Sequence, residues 1–179
     1  MKTLRLFAFL LAAVGFSSLN AQTEQGRWMI GGTAGFNSTD FGGDVKVTDI
    51  DFSPNLGYFI IDNLAIGAGL GFGSSKSDKL GDVSSFALTP FARYYFLGTG
   101  DVRLFGQGRF GFGSQKVGNL DSQSFTTWGL GAGLNYFLNN NVALEALVGY
   151  DSRKVKDAAN AANGFGLNIG VQAFFGGGQ

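Results

Sequence analysis

The sequence predicts an all-β fold, an eight-stranded antiparallel up-and-down transmembrane β-barrel, and three observations carry that expectation. Eight segments between Trp28 and Phe175 alternate so that one face of each holds no charged residue. Their connections alternate strictly between short and long. The face opposite the apolar one is rich in glycine and carries few charges. Successive strand side chains point to opposite faces. A period of two with one wholly uncharged face therefore describes the outside of a barrel that meets lipid.

The first residues read as a targeting segment rather than structure. Lys2 and Arg5 give a basic start, Leu6 to Phe16 an apolar run, and Leu19-Asn20-Ala21 a small-residue end before Gln22. Residues 1–21 are accordingly expected to be a secretory signal peptide and residues 22–179 the barrel domain. The apolar run falls short of the ~20 residues that a spanning helix needs, and no Cys follows it that could take a lipid anchor. The 158 residues that remain suit one domain. They hold 11 basic against 13 acidic residues, which leaves no basic footprint for nucleic acid. The chain has no Cys, so disulfides and thiolate metal sites are excluded.

The apolar faces follow in chain order. The first runs from Trp28 through Ile30, Gly32 and Ala34 to Phe36, the second from Phe52 to Ile60, the third from Leu64 to Phe72 and the fourth from Phe86 to Phe96. The fifth runs from Val102 to Phe112, the sixth from Thr126 to Tyr136, the seventh from Val142 to Tyr150 and the eighth from Phe165 to Phe175. Of these 44 positions only Thr126 is plainly polar. Each segment is near the ~9 to 11 residues of a tilted spanning strand. Short turns are expected at Ile61 to Asn63, Leu97 to Asp101 and Leu138 to Asn141. Long loops are expected at Asn37 to Asp51, Gly73 to Ser85, Gly113 to Phe125 and Asp151 to Gly164, where Gly, Ser, Asp, Asn and Lys gather. The long connections would be extracellular and both termini periplasmic.

Three strands approach the short turns alike, through Tyr58-Phe59, Tyr94-Tyr95 and Tyr136-Phe137. Amphipathic rings favour the membrane–water boundary, so Trp28, Tyr58, Tyr94, Tyr136 and Phe175 are expected in a periplasmic girdle. Tyr150 joins Phe36, Phe52, Phe72, Phe86, Phe112 and Phe165 in an outer one. Pro54 and Pro90 cannot donate to a sheet ladder, so a bulge or a missing bond is expected at each.

A soluble lipocalin-like barrel would show the same alternation with its apolar face turned inward around a lipid. The opposite face argues against it. Thirteen of its 36 positions are Gly and four are charged, too bare for a water-facing surface. It suits a narrow interior in which small residues make room for a few large ones.

The chain resembles the small eight-stranded outer-membrane barrels of the OmpA/OmpX/OmpW type, within the broad outer-membrane β-barrel domain family. The carriers are the leader, Phe52-Ser53-Pro54-Asn55-Leu56-Gly57-Tyr58-Phe59 followed by Asp62-Asn63-Leu64-Ala65, the stretch Pro90 to Phe96, and the final strand. The resemblance implies integral location in a bacterial outer membrane, contact with its lipid, and handling by the barrel-assembly machinery. That machinery reads an aromatic residue at the end of the last strand, a description that Phe174 and Phe175 fit before Gly176-Gly177-Gly178-Gln179. It further implies a structural and surface-interaction role of the OmpX-like kind, with an extracellular ligand or host surface met through the loops, or a narrow channel as in OmpW-like members. A continuous apolar band favours a monomer.

On the inner face, Arg93, Arg103, Arg109 and Glu145 form the one charged set that could carry chemistry. One reading is an anion-favouring selectivity filter or gate. The other is a buried ion-pair network that plugs the lumen, with Gln107, Asn135 and Gln172 taking up spare hydrogen bonds. Eight strands leave room for little more than side chains, so the plug is expected. No enzyme and no cofactor are expected. The chain has no His to serve as a base, and its Ser and Asp residues show no dyad spacing. Asp40, Asp44, Asp49 and Asp51 gather near the first long loop, but without the fixed spacing of a calcium site they read as a solvated rim. Gly106-Gln107-Gly108-Arg109-Phe110-Gly111 matches the dinucleotide pattern by letter only, because it lies inside an alternating strand and opens no helix.

Overall fold

Strong period-two alternation, turn residues at fixed intervals and the absence of any helix-period stretch resolve into eight strands. The computed structural model describes residues 22–40, 46–77, 82–118 and 121–176, the side chains at 35–40, 46–49, 77 and 99 excepted. The expected leader, residues 1–21, lies outside these. The strands are β1 (Trp28–Asp40), β2 (Lys46–Ile61), β3 (Leu64–Ser77), β4 (Val83–Thr99), β5 (Val102–Val117), β6 (Gln123–Phe137), β7 (Val142–Val155) and β8 (Ala162–Phe175). Each pairs antiparallel with its neighbours in sequence, and β8 returns to β1 to close the barrel.

One end of the barrel carries three tight turns together with the first and last described residues. Asp62-Asn63 joins β2 to β3, with Asn63 in the left-handed region at φ 67°. Gly100-Asp101 joins β4 to β5, with Gly100 at φ 55°. In the third turn the Asn139 carboxamide oxygen accepts from the backbone N–H groups of Asn141 and Val142, both at 2.9 Å, the local side-chain bonding that makes Asn a turn residue. At the other end the strands run well past their apolar faces. β1 and β2 continue in register to Asp40↔Lys46, and β6 pairs with β7 as far as Phe125↔Val155. The four long loops expected there are mostly strand. A backbone ladder needs no apolar side chains, so the hairpins continue with polar residues on both faces once the apolar band has ended.

Parity is as the alternation requires. Outward residues such as Ile30, Phe52, Phe72, Phe110, Leu130 and Val148 are exposed, whereas inward Met29, Phe59, Phe105, Phe137 and Phe174 are buried. Gly106, Gly108 and Gly111 lie within β5, so the dinucleotide spelling opens no phosphate loop. Glycine makes the lumen usable where large side chains cross it. A Cβ on Gly133 would lie 2.5 Å from the Phe105 ring and 2.6 Å from the Ala146 carbonyl oxygen.

Both prolines interrupt pairing without shifting it. The β2–β3 ladder passes from Phe52↔Phe72 to Asn55↔Gly69, and the β4–β5 ladder from Leu88↔Phe112 to Phe91↔Arg109, each omitting two residues around the proline. The missing N–H is the physical cause. The register shifts fall elsewhere, between Phe59 and Ile61 and between Tyr95 and Leu97, next to the two-residue turns.

The closing seam is short. β1 and β8 share six residue pairs, Trp28↔Phe175 to Thr33↔Gly170, against twelve to fourteen at every other interface. Beyond Gly170 towards the hairpin end, β8 is paired on one side only among the described residues, and Phe165, Leu167 and Ile169 are 84%, 64% and 63% exposed. Amides pointing to the unpaired edge open without global unfolding. Hydrogen exchange on the folded protein in micelles should therefore show Gly164 to Ile169 exchanging faster than Val171 to Phe175. Equal protection along β8 would count against the short seam.

Candidate functional site in the barrel lumen

The inward positions build a layered plug at the turn end. Its floor is aromatic: Phe59, Tyr95, Phe105, Phe137 and Phe174, with Met29, Ala65 and Ala143 between them, all nearly or wholly inaccessible. Ring centroids lie 5.0 Å apart for Phe137 and Phe174, 5.4 Å for Tyr95 and Phe105, and 5.8 Å for Phe59 and Tyr95, all tilted as ring quadrupoles prefer. Three of these rings directly follow the outward tyrosines of the strand ends. Each Tyr-aromatic pair thus sends one ring out and the next one in. Below the floor, Arg27 donates from Nη2 to the Phe174 carbonyl at 3.0 Å, and the Thr23 hydroxyl donates to Asn63 Oδ1 at 2.7 Å.

A charged layer rests on this floor. Arg93, on β4, and Glu145, on β7, face each other across the lumen. Arg93 Nη1 lies 2.5 Å from Oε2 and Nη2 lies 3.0 Å from Oε1, a bidentate pair with both residues about 2% exposed. Most of the remaining donors and acceptors are used as well. Arg93 Nε donates to Gln107 Oε1 at 2.8 Å, Nη1 also reaches the Tyr95 hydroxyl at 3.3 Å, and the guanidinium carbon sits 4.0 Å from the Phe105 ring centroid. Asn135 Nδ2 donates to Glu145 Oε2 at 3.0 Å while its Oδ1 accepts from the Tyr95 hydroxyl at 2.8 Å. A buried charge pair is tolerable only when it is satisfied this completely.

The four charges singled out from the sequence therefore do not form one cluster. Arg93 and Glu145 meet. Arg103, though buried, folds back on its own turn and donates from Nη1 to the carbonyls of Gly100 at 2.8 Å and Val102 at 2.9 Å. Arg109 lies further toward the hairpin end and pairs in bidentate fashion with Asp151, with Nε 2.7 Å from Oδ1. Gln107 and Asn135 join the network as expected of them. Gln172 does not, since its buried amide has no hydrogen-bond partner among the described residues. Asp151 was missed because the seventh strand was expected to end at Tyr150. Carrying the alternation one residue further would have turned it inward. The same step turns Arg153 inward, where its guanidinium lies 3.6 Å from the Phe125 ring centroid and donates to Gln115 at 2.8 Å.

Between the two ion pairs lies a cavity of about 250 Å³, lined by Asn55, Thr89, Gln107, Thr127, Glu145 and Asn168 among others. Its walls mix these polar groups with Phe91, Leu147 and glycines, and its floor is the Arg93–Glu145 layer. Among the described residues no group of three His, Cys, Asp or Glu could hold a metal ion. Asp44 and the side chains of Asp40 and Asp49 lie outside the described residues.

On the outside, the two expected rings are partly assembled by contact. Trp28 and Tyr58 meet in a tilted contact with centroids 4.9 Å apart at the turn end, where Tyr94, Tyr136 and Phe175 also face outward. Toward the hairpin end Tyr150 lies 5.8 Å from Trp128 and 5.2 Å from Phe165, and Phe72 lies 5.4 Å from Phe86.

The sequence model of the outer membrane protein beta-barrel domain matches residues 7–175. No functionally curated protein matches the chain. Among solved structures, neisserial surface protein A is similar with 21% identity and a TM-score of 0.63, covering 84% of this chain and 98% of that one. The N-terminal β-barrel domain of Pseudomonas aeruginosa OprF has 18% identity and a TM-score of 0.56 over 84% and 98%. The outer membrane protein OprG of the same species has 14% identity and a TM-score of 0.56 over 88% and 100%. At such identities the likeness is one of fold.

The two ion pairs differ in what their loss should do. Glu145→Ala strands a buried guanidinium and should destabilise the barrel by about 3–5 kcal/mol, whereas Arg93→Met with Glu145→Leu should recover most of that. Asp151→Asn acts on a partly exposed pair and should cost below about 1 kcal/mol. Denaturant titration in micelles ranks the three variants, and an equal loss for Glu145→Ala and Asp151→Asn would refute the assigned hierarchy.

Proposed function

The chain belongs to the outer membrane protein beta-barrel domain family, and from that premise we propose that it is a non-enzymatic integral protein of the bacterial outer membrane whose lumen is sealed and whose role is structural and adhesive. The sealed lumen carries this reading. Five inward rings and the Arg93–Glu145 network fill the turn end, with the five rings and the ion pair each at most 3% exposed. A barrel closed in this way contributes a rigid wall and an exposed rim rather than a path for solutes.

In this reading both termini and the tight turns face the periplasm, and the four extended hairpins stand outside the cell as the contact surface for ligands or other cells. Trp28, Tyr58, Tyr94, Tyr136 and Phe175 mark the inner boundary of the bilayer and Tyr150 the outer one. Phe175, paired with Trp28, is the end signal for the assembly machinery, and an apolar band on all sides favours a monomer. The cavity of about 250 Å³ above the seal favours a second reading, a narrow channel for small solutes, because only the floor would have to move. An electrophoretic test of location comes first: outer-membrane recovery with heat-dependent migration supports the barrel in lipid, and recovery as a soluble protein without that shift refutes it.

Planar bilayers separate the two roles. The wild-type protein should give no conductance steps, and Glu145→Ala, with the floor loosened, should give small ones. Steady conductance by the wild-type barrel would favour the channel.

A further inference from the structure

The polar groups around the cavity above the Arg93–Glu145 layer divide into those already partnered and those still open. Arg93 pairs with Glu145 and Arg109 with Asp151, so the four charged side chains that line the cavity cancel one another. Uncharged side chains complete the lining: Thr33 on β1, Ser53 and Asn55 on β2, Thr89 on β4, Thr127 on β6 and Asn168 on β8. Among the described residues no hydrogen bond to another side chain engages any of these six. The Oδ1 of Asn55 is buried and has no partner there at all. A buried acceptor without a donor is costly, so this oxygen calls for a donor on whatever occupies the cavity.

Glycine keeps this space open at positions where packing does not demand glycine. A Cβ on Gly67 would lie 2.5 Å from the Phe91 ring and one on Gly113 2.7 Å from the Phe125 ring, so large neighbours require both. Further along β3, at Gly69 and Gly71, the nearest atoms would be 3.5 Å and 3.6 Å away, which is ordinary van der Waals contact. The wall would accept side chains at these two positions, and both face the cavity. On the hairpin side the Arg109–Asp151 pair does not bar the entrance. It lies flat over Gly129 and Gly149, where a Cβ would come 2.8 Å from Arg109 Nε and 3.1 Å from Arg109 Nη2. Its two side chains are 15% and 39% exposed, whereas those of the Arg93–Glu145 pair are 2% and 1% exposed. The result is a blind chamber, open toward the hairpins and stopped by the buried ion pair.

Size and lining together define the ligand. A volume of about 250 Å³ is the share of roughly eight waters at ~30 Å³ each and falls below the ~300–1,000 Å³ of pockets for drug-sized ligands. A single pyranose fits, and a second ring does not. Hydroxyl and carboxamide groups both donate and accept, which matches ligand hydroxyls that do the same. A charged ligand would lose its hydration without meeting an unpaired countercharge. Phe91 and Leu147, both buried, add an apolar patch suited to the C–H face of a sugar ring. We propose that the chamber is a binding site for one neutral sugar unit, either free or the end of a glycan entering between the hairpins, with Asn55, Thr89 and Asn168 among its contacts. The inference rests on the outer-membrane reading with the hairpins outward, and it gives their contact role a ligand class.

The test uses the whole protein in phosphocholine micelles, which carry no glycoside head group, once heat-dependent migration has confirmed the barrel. NMR follows the side-chain amides of Asn55 and Asn168 during titration with the methyl glycosides of glucose, galactose, mannose and N-acetylglucosamine. Glucuronate and glucosamine serve as charged counterparts and hexanol as an apolar one. The expected result is a saturable shift of these amides with at least one neutral glycoside. Binding should be about fivefold weaker in Thr89→Val, which removes a hydroxyl at nearly constant shape, and lost in Gly71→Val, which fills the space. Should Gly71→Val fail to fold, Thr89→Val carries the readout. A trisaccharide of the same sugar separates the two sources: undiminished binding marks a glycan end, and its loss marks a free sugar. Absence of a saturable shift with every neutral glycoside, equal or tighter binding of the charged sugars or of hexanol, or unchanged binding in a folded variant overturns the site while leaving the barrel reading intact. A sample without heat-dependent migration instead overturns the barrel reading beneath it.

Discussion

Every other feature of this protein depends on a hydrogen-bond ladder that closes on itself. In hydrocarbon an unpaired backbone N–H or C=O has no water to turn to, and only helices and closed barrels avoid that cost. Here eight strands pair around a full circle. Closure fixes the period of two all the way round, and parity then assigns each side chain to lipid or to lumen. Pro54 and Pro90 show how much local loss the ladder tolerates. Each removes one donor, yet the register on both sides of the gap is unchanged because the flanking pairs hold it.

Parity also creates the problem that the lumen solves. Eight strands enclose a space that side chains must largely fill. Glycine on one strand lets a large side chain on the neighbouring strand lie across it into the lumen, as with Gly133 beside Phe105 and Gly67 beside Phe91. Charge adds a second demand. The guanidinium of Arg93 keeps its charge in this setting because one carboxylate, one amide, one hydroxyl and one ring face surround it. Removing a single member leaves the rest worse placed than an apolar core would be.

At the turn end the fold was legible almost to the residue. Strand starts at Trp28, Leu64, Val102 and Val142 coincide with those expected, because Asp62-Asn63, Gly100-Asp101 and Asn139 break the alternation sharply. The opposite end was not legible. There the outer face ceases to be apolar while pairing continues, so polar strand and polar loop look alike in sequence. Asp151 was lost for that reason. The inward set Arg93, Arg103, Arg109 and Glu145 followed from parity alone, but partner choice did not. Which inward residues meet across a barrel depends on the stagger between strands, a quantity that no local pattern encodes. Arg103 illustrates the limit, since its Nη1 turns back to the carbonyls of its own turn rather than across the lumen to a carboxylate.

The short seam between β1 and β8 bears on the order in which the molecule assembles. Every other interface joins neighbouring strands and can form as a local hairpin, whereas Trp28 meets Phe175 only across almost the whole chain. Such a contact carries the largest loop-closure entropy and is rewarded last. Closure also brings Phe174, already placed beside Phe137 by the β7–β8 hairpin, against Phe59 in the floor of the lumen. Closing the wall and stoppering the interior are therefore a single late event, and a chain short of its final strand would be left with both an open edge and an unfilled floor.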